Sequence, residues 1–262
     1  MNFITESDPI TLEVKDFSAK YSVPYFKMHS LKEHFIKFFN SPLKYIFEKE
    51  ESITILDNIS FSLKNGDRLG ILGNNGSGKT TLVRHISGIY GPSSKILKHG
   101  KIRAIFDTDV VILPELSGKE NLKIAAHFLF NDLSSEEIDK IILESETFCE
   151  LGKYLDVPFK FYSKGMKTRL LLSLISARPA DVLILDEVYN GADHFFSEKI
   201  TTKIKETIFK SSSVIIISHS QNLISEICNR VIVLNQKKIV FDGIPEDGIL
   251  FYKNNCNSIL LE

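Results

Sequence analysis

Apolar positions in this chain fall into two kinds of run. In Ile53–Leu63 they alternate, with Ser60 and Ser62 separating Ile59, Phe61 and Leu63, the period-2 pattern of a strand with one buried face. Elsewhere they are short and unbroken: Arg68–Leu72, Val182–Leu185 and Val214–Ile217 read as strands covered on both faces, as in a parallel sheet. Thr11–Val14 and Lys101–Phe106 predict two more strands, the first running on towards Tyr21. The spacing becomes helical at Thr81–Ile86, which gathers Leu82, Val83 and Ile86 on one face. From Lys119 to about Arg178 the pattern is mostly helical: Lys119–Phe130, a second helix opened by Ser134-Ser135-Glu136-Glu137, and a third from Gly165 to Arg178. Asn65-Gly66-Asp67 and Gly91-Pro92-Ser93-Ser94 punctuate the chain. Strands separated by helices predict an α/β architecture with a helical insertion.

One more helix is predicted between the first two strands. Ser30-Leu31-Lys32-Glu33 has the form of a capping box, and Leu31, Phe35, Phe38 and Phe39 then share a face until Asn40-Ser41-Pro42. Across residues 27–49, Lys27, Lys32, Lys37, Lys44 and Lys49 outnumber Glu33 and Glu48. A basic, aromatic, amphipathic helix of this kind can lie at a membrane interface, dock on a partner or pack on its own domain, and the pattern alone leaves these open.

Composition narrows the classes. The 262 residues, 43% hydrophobic and 25% charged, suit one globular domain with a lobe or two. A formal net charge of −1 gives no footprint for bulk nucleic-acid binding. Cys149, Cys228 and Cys256 lack metal-ligand spacing and are expected as free thiols. Met1–Asp8 has no secretory character, and runs such as Leu170–Ile175 are too short to span a bilayer. A role at a membrane would therefore run through something already there.

The chemistry lies in Gly73-Asn74-Asn75-Gly76-Ser77-Gly78-Lys79-Thr80, which fits the phosphate-loop pattern G-x-x-x-x-G-K-[ST] between a predicted strand and a predicted helix. Its glycines let backbone N–H groups curl inward on phosphate oxygens, and the helix N-terminus adds partial positive charge. Lys79 is expected to reach the β- and γ-phosphates and the Thr80 hydroxyl to ligate Mg²⁺. As a solvated loop lysine, Lys79 is expected to contribute little to the core. The strand Val182–Leu185 delivers Asp186 and Glu187: Asp186 to complete the Mg²⁺ shell through water, Glu187 to orient or deprotonate the attacking water. His219 follows the next buried strand, where it is either structural or a contact to the γ-phosphate. In Tyr162-Ser163-Lys164-Gly165-Met166-Lys167, Ser163 reads as an N-cap, but the basic first turn opposes the helix dipole, as if the helix start received an anion.

In this order the motifs resemble those of ATP-binding subunits of ABC transporters, over about Leu12 to Tyr252. Ser163-Lys164-Gly165-Met166 stands for that family's signature, in a Tyr-Ser-x-Gly-Met form similar to the branch that exports O-antigen, capsule and teichoic acid. Pro114–Asn121, the stretch from Asp186 through Gly191-Ala192-Asp193, and the Tyr21 segment followed by the basic helix resemble the same branch. The resemblance implies an α/β P-loop NTPase fold with a mostly parallel core sheet, an antiparallel β-subdomain and a helical subdomain (119–178). It implies one nucleotide-binding domain over 1–262, carrying the insertion at 27–49 and no C-terminal carbohydrate-binding domain. ATP and Mg²⁺ would be the ligands. Two protomers would sandwich each ATP between Gly73–Thr81 of one and Ser163 and Gly165 of the other, with Tyr21 stacked on adenine and Asp193 linking the two sites. Asp107 stands in for the family's Mg²⁺-contacting glutamine. The expected partners are an integral membrane permease and, indirectly, a lipid-linked polysaccharide, with the chain peripheral on the cytoplasmic face of the plasma membrane. An ABC ATPase for another substrate, or a soluble one acting on ribosomes or DNA, is the alternative.

Overall fold

The computed structural model describes residues 9–22, 52–105, 112–187 and 194–256. The basic segment 27–49, Asp107 and Asp193 lie outside them.

The alternating run pairs as expected, and further. β1 (Ile10–Ser22) runs antiparallel to β2 (Ser52–Lys64), setting Leu12 opposite Leu63 and Val14 opposite Phe61. β1 is longer than Thr11–Val14 and carries Tyr21 at its far end; register shifts around Phe17 and Ala19 bend it there. β4 (Ile96–Lys98) pairs with the other edge of β1.

The unbroken runs form the second sheet, in the order β5 (Ile102–Ile105), β6 (Val182–Asp186), β7 (Ser213–Ile217), β3 (Arg68–Leu72), β8 (Arg230–Asn235), β9 (Lys238–Gly243). Its pairings are parallel except for β8 with β9. Every residue of β3, β6 and β7 is buried. One face packs on the antiparallel sheet and on Leu82, Val83 and Ile86 of α1 (Lys79–Ser87). The other packs on α4 (Lys164–Ile175), α5 (His194–Lys210), α6 (Gln221–Ile227) and α7 (Pro245–Asn255), through residues such as Leu172, Ile204, Ile208 and Ile224. Each fully buried Leu or Ile contributes about 1.5–3 kcal/mol, enough to offset the roughly 1–2 kcal/mol lost in ordering its backbone.

Arg68, read as the opening of an apolar run, is buried by bonding rather than by lack of polarity. Its guanidinium donates to the carbonyls of Asp67, Phe209, Ser211 and Ser212, which fixes the C-terminal end of α5 to the base of β3. Burial lowers its pKa, with Asp67 opposing the shift.

The helical region has its own core, in which Leu122, Phe130, Ile141, Phe159 and Leu170 meet. α2 (Gly118–Leu129) and α3 (Ser135–Phe148) both start on capping boxes, Ser117 with Glu120 and Ser134 with Glu137. α4 ends at Ile175, short of the expected Arg178. The segment leading into α2 is held by Asn121, which is fully buried. Its Oδ1 accepts from Leu113 N at 2.7 Å, and its Nδ2 donates to the carbonyls of Leu113, Leu116 and Ser117. Beside it, Gly118 leaves the room Tyr162 fills: a Cβ there would stand 1.9 Å from the Tyr162 hydroxyl. Asn121→Leu keeps the branched shape of the side chain and deletes each of these bonds. It is expected to lower the unfolding free energy by about 2–4 kcal/mol, because buried backbone groups lose their partners. A urea melt with an unchanged midpoint would show that the network adds nothing net.

Candidate functional site

The phosphate loop leaves β3 at Leu72 and re-enters regular structure at Lys79. Two glycines shape it. A Cβ on Gly73 would stand 2.4 Å from the Leu234 carbonyl, and Gly78, at φ +100°, would drive one to 2.6 Å from Leu56. The first intrahelical bond runs from Leu82 N to Gly78 O, and no side chain caps the helix, so the N–H groups of Lys79, Thr80 and Thr81 have no acceptor within it. Among the described residues, Ser77 Oγ is buried without a hydrogen-bond partner. The loop is thus a cradle of donors with one polar side-chain atom unanswered, which fits a phosphate chain.

Lys79 is not the solvated residue expected from sequence. It is buried, and its Nζ donates to Gly73 O at 2.6 Å and Asn74 O at 3.0 Å. Its burial has a simple cause: the loop wraps back over its own lysine. Burial lowers the Lys79 pKa, opposed by the charges of Glu187 and then Asp186.

Those carboxylates arrive because β6 and β7 are in parallel register, with Asp186 beside Ile217, and β7 in turn places Ile217 beside Ile71 of β3. The loop, Asp186, Glu187 and His219 therefore gather at one edge of the sheet, beyond the carboxyl ends of its parallel strands. Asp186 is buried. Glu187 has a left-handed backbone at φ +54°, an energetic cost for a residue with a Cβ, and its N–H donates to Ile217 O at 3.0 Å. Its Oε1 lies 3.4 Å from His219 Nε2, and the His219 ring is mostly exposed. The Thr80 hydroxyl and the Asp186 carboxylate are hard oxygen donors that suit Mg²⁺ alongside water and phosphate oxygens. A carboxylate beside the loop, with an imidazole next to it, is equipped to take a proton from water.

Tyr21, at the end of β1, stands beside α1. Burial and a hydrogen bond to Tyr90 push its hydroxyl up to about 12, against a hydrogen bond to Thr81 that lowers it. Its ring meets Tyr90 edge-on at 6.0 Å, Tyr90 leans on His85 at 4.8 Å, and His85 meets Phe17 at 4.9 Å. Sequence reasoning missed Tyr90 and His85. The signal in the sequence was the place of His85 near the end of the predicted helix and of Tyr90 shortly after it.

Ser163 is the N-cap of α4, its Oγ accepting from Met166 N at 3.2 Å. Lys164 is exposed, and Gly165 and Met166 are half-buried. The basic first turn is eased in part by Lys167, whose Nζ sits 5.2 Å over the Phe159 ring. These residues sit on the helical subdomain, joined to the segment before α2 by Tyr162, by Lys160 N bonding to Pro114 O and by a Lys160–Glu115 ion pair.

Comparison with known proteins accords with this arrangement. The family model described as ABC transporter matches residues 56–190, just over half of the chain. The O-antigen export system ATP-binding protein RfbE of Yersinia enterocolitica is 38% identical over 69% of this chain and 75% of its own length. The capsule polysaccharide export ATP-binding protein CtrD of Neisseria meningitidis is 35% identical over 70% of this chain and 82% of its own. Among solved structures, the dimeric post-hydrolysis state of an ATP-binding cassette bound to ADP and Pi superposes with a TM-score of 0.66 at 20% identity, covering 89% of this chain and 98% of that one, which establishes the shared fold. On a family match of that extent, the chain belongs to the ABC transporter family.

Proposed function

We propose that this chain is the ATP-hydrolysing subunit of an exporter that moves a lipid-linked polysaccharide across the cytoplasmic membrane. It works on the cytoplasmic face, as a homodimer docked on an integral membrane permease. The observation that carries the ATPase reading is the meeting of Glu187 and His219 with the phosphate loop at one sheet edge. The polysaccharide reading is supported by relatives named for O-antigen and capsule export. Among the described residues no helix is long and apolar enough to cross a membrane, in keeping with a permease that supplies the path.

In this reading residues 1–262 form one nucleotide-binding domain, with 119–178 as its helical subdomain and 27–49 as the segment nearest the membrane. The loop N–H groups and Lys79 bind the phosphates, and Tyr21 flanks the base. Thr80 and Asp186, with Asp107 in support, hold a Mg²⁺ ion, which when bound neutralises charge building on the phosphate oxygens. Glu187 orients or deprotonates the attacking water, and His219 contacts the γ-phosphate. Ser163 and Gly165 of one protomer face the loop of the other, and Asp193 links the two sites. Closure on ATP and release after hydrolysis then drive the permease.

The test is capture from native membranes with Glu187→Gln in ATP and Mg²⁺. A polytopic membrane protein carrying glycolipid is the expected companion. A membrane partner without glycan would redirect the substrate assignment, and ribosomes in its place would overturn the transport reading.

A further inference from the structure

Asn74, the first variable residue of the phosphate loop, points its side chain away from the loop. Its Nδ2 donates to the Cys256 carbonyl at 2.7 Å, and the Tyr252 hydroxyl donates to its Oδ1 at 3.0 Å. Both partners belong to the C-terminal end of α7: Tyr252 lies in its last turn, and Cys256, itself buried, is the residue on which it ends. A carbonyl can only accept, so the Cys256 oxygen fixes which end of the Asn74 amide faces it, and the Tyr252 hydroxyl is left to the other. The Asn74 backbone faces the loop. Its carbonyl accepts from Lys79 Nζ at 3.0 Å and from Ser77 N at 3.1 Å. One residue therefore joins Lys79, the turn of the loop and the end of a helix more than 170 positions away in sequence.

The tie answers a need on each side. The last carbonyls of a helix have no partner within it, and Asn74 supplies one. A glycine-rich loop loses much backbone freedom on ordering, and a side-chain anchor at its first variable position limits the states it must lose. Gly73 adds a second point of fixation, packed so close to the Leu234 carbonyl of β8 that no Cβ fits. α7 packs on that strand too, with Gly248 against Val231.

We infer that Asn74 is a positioning residue that clamps the phosphate loop to the end of α7, so that Tyr252 and Cys256 tune nucleotide binding without touching the nucleotide. By reciprocity, nucleotide that favours the clamped loop also orders the end of α7, and a pull on that helix end weakens nucleotide binding by the same factor. This inference rests on the reading of Gly73–Thr80 as the ATP site.

Tyr252→Phe is the sharpest probe, since it deletes one oxygen outside the loop and leaves the ring in the core. Loss of one such hydrogen bond predicts an ATP dissociation constant raised about five-fold. Asn74→Ala, which deletes both bonds, should raise it about ten-fold or more, and adding Tyr252→Phe to it should do no further harm. In the full-length wild-type chain, ATP with Mg²⁺ should slow hydrogen exchange at the amides of residues 252–256, and Tyr252→Phe should remove most of that slowing. A merely structural bond would lower the melting temperature without changing this response. Wild-type ATP affinity in Tyr252→Phe, strict additivity of the two substitutions, or nucleotide-independent exchange at 252–256 would overturn the clamp alone. A wild-type chain that failed to bind ATP would overturn the site as well.

Discussion

Glu187→Gln is expected to slow ATP turnover by orders of magnitude while leaving ATP bound. The substitution keeps the shape of the side chain and its place beside His219, whose Nε2 lies 3.4 Å from Glu187 Oε1. What it removes is the negative charge and the basic oxygen that would accept a proton from water. General-base catalysis of this kind contributes roughly 10²–10⁴-fold, so phosphate release should fall by that factor. Folding should be unaffected, because Gln inherits the left-handed backbone of position 187 and carries the same strain as Glu. Phosphate release by the complex purified from native membranes, measured beside ATP affinity, separates the two effects. Full turnover in the variant would remove Glu187 from the chemistry. A parallel loss of ATP affinity would instead make it a binding residue.

Much of the framework was legible because it depends on short-range pattern. The unbroken runs at Leu69–Leu72, Val182–Leu185 and Val214–Ile217 became the buried parallel strands they predicted. The Lys79–Ser87 helix buried Leu82, Val83 and Ile86 as its spacing required. Each of these signals is local, and strand and helix periodicity are set within a few residues. The run Val231–Leu234 carried the same signal as β7, and could have been read in the same way.

The contacts that turn the framework into a site were not legible, because they join positions distant in sequence. The register of β6 against β7 is what sets Glu187 beside His219, and no pattern within either strand states it. Asn121 looks like any polar residue near a helix start until its bonds to Leu113, Leu116 and Ser117 are seen. Asn74 fills a variable position of its motif, and its partners at Tyr252 and Cys256 lie at the far end of the chain. Even Lys79, whose role the motif predicts, was misplaced in its environment. A motif states which residue faces the phosphate, and says nothing of how deeply the folded loop encloses it.

That burial sharpens what Lys79→Ala should do. The Nζ ammonium is held by the carbonyls of Gly73 and Asn74, within a loop that otherwise presents N–H donors. Removing it deletes the loop's own positive charge, and a hydrogen bond to a charged group is worth about 1.5–3 kcal/mol. Contact with two phosphate oxygens then predicts that ATP affinity falls about 10²-fold or more, and turnover with it. The effect on stability is a closer contest. Ala takes the Lys79 donor from the carbonyls of Gly73 and Asn74, of which Asn74 keeps its bond from Ser77 N, and that loss is destabilising. It also removes a buried cation, whose lowered pKa marks a desolvation cost. The sign follows from linkage: a lysine whose folded pKa lies below its unfolded value costs stability while protonated, and the cost lifts only as pH rises through the folded pKa. At neutral pH the two effects oppose each other, so the melting temperature of Lys79→Ala without nucleotide should stay close to that of wild type. With ATP and Mg²⁺ the two proteins should part, since ligand stabilises only the form that binds it. Thermal melts of both proteins with and without nucleotide decide the matter. Equal stabilisation by ATP in wild type and variant would rule out Lys79 as a phosphate ligand, whereas a large loss of stability without nucleotide would show that the two carbonyl bonds outweigh the cost of burying the charge.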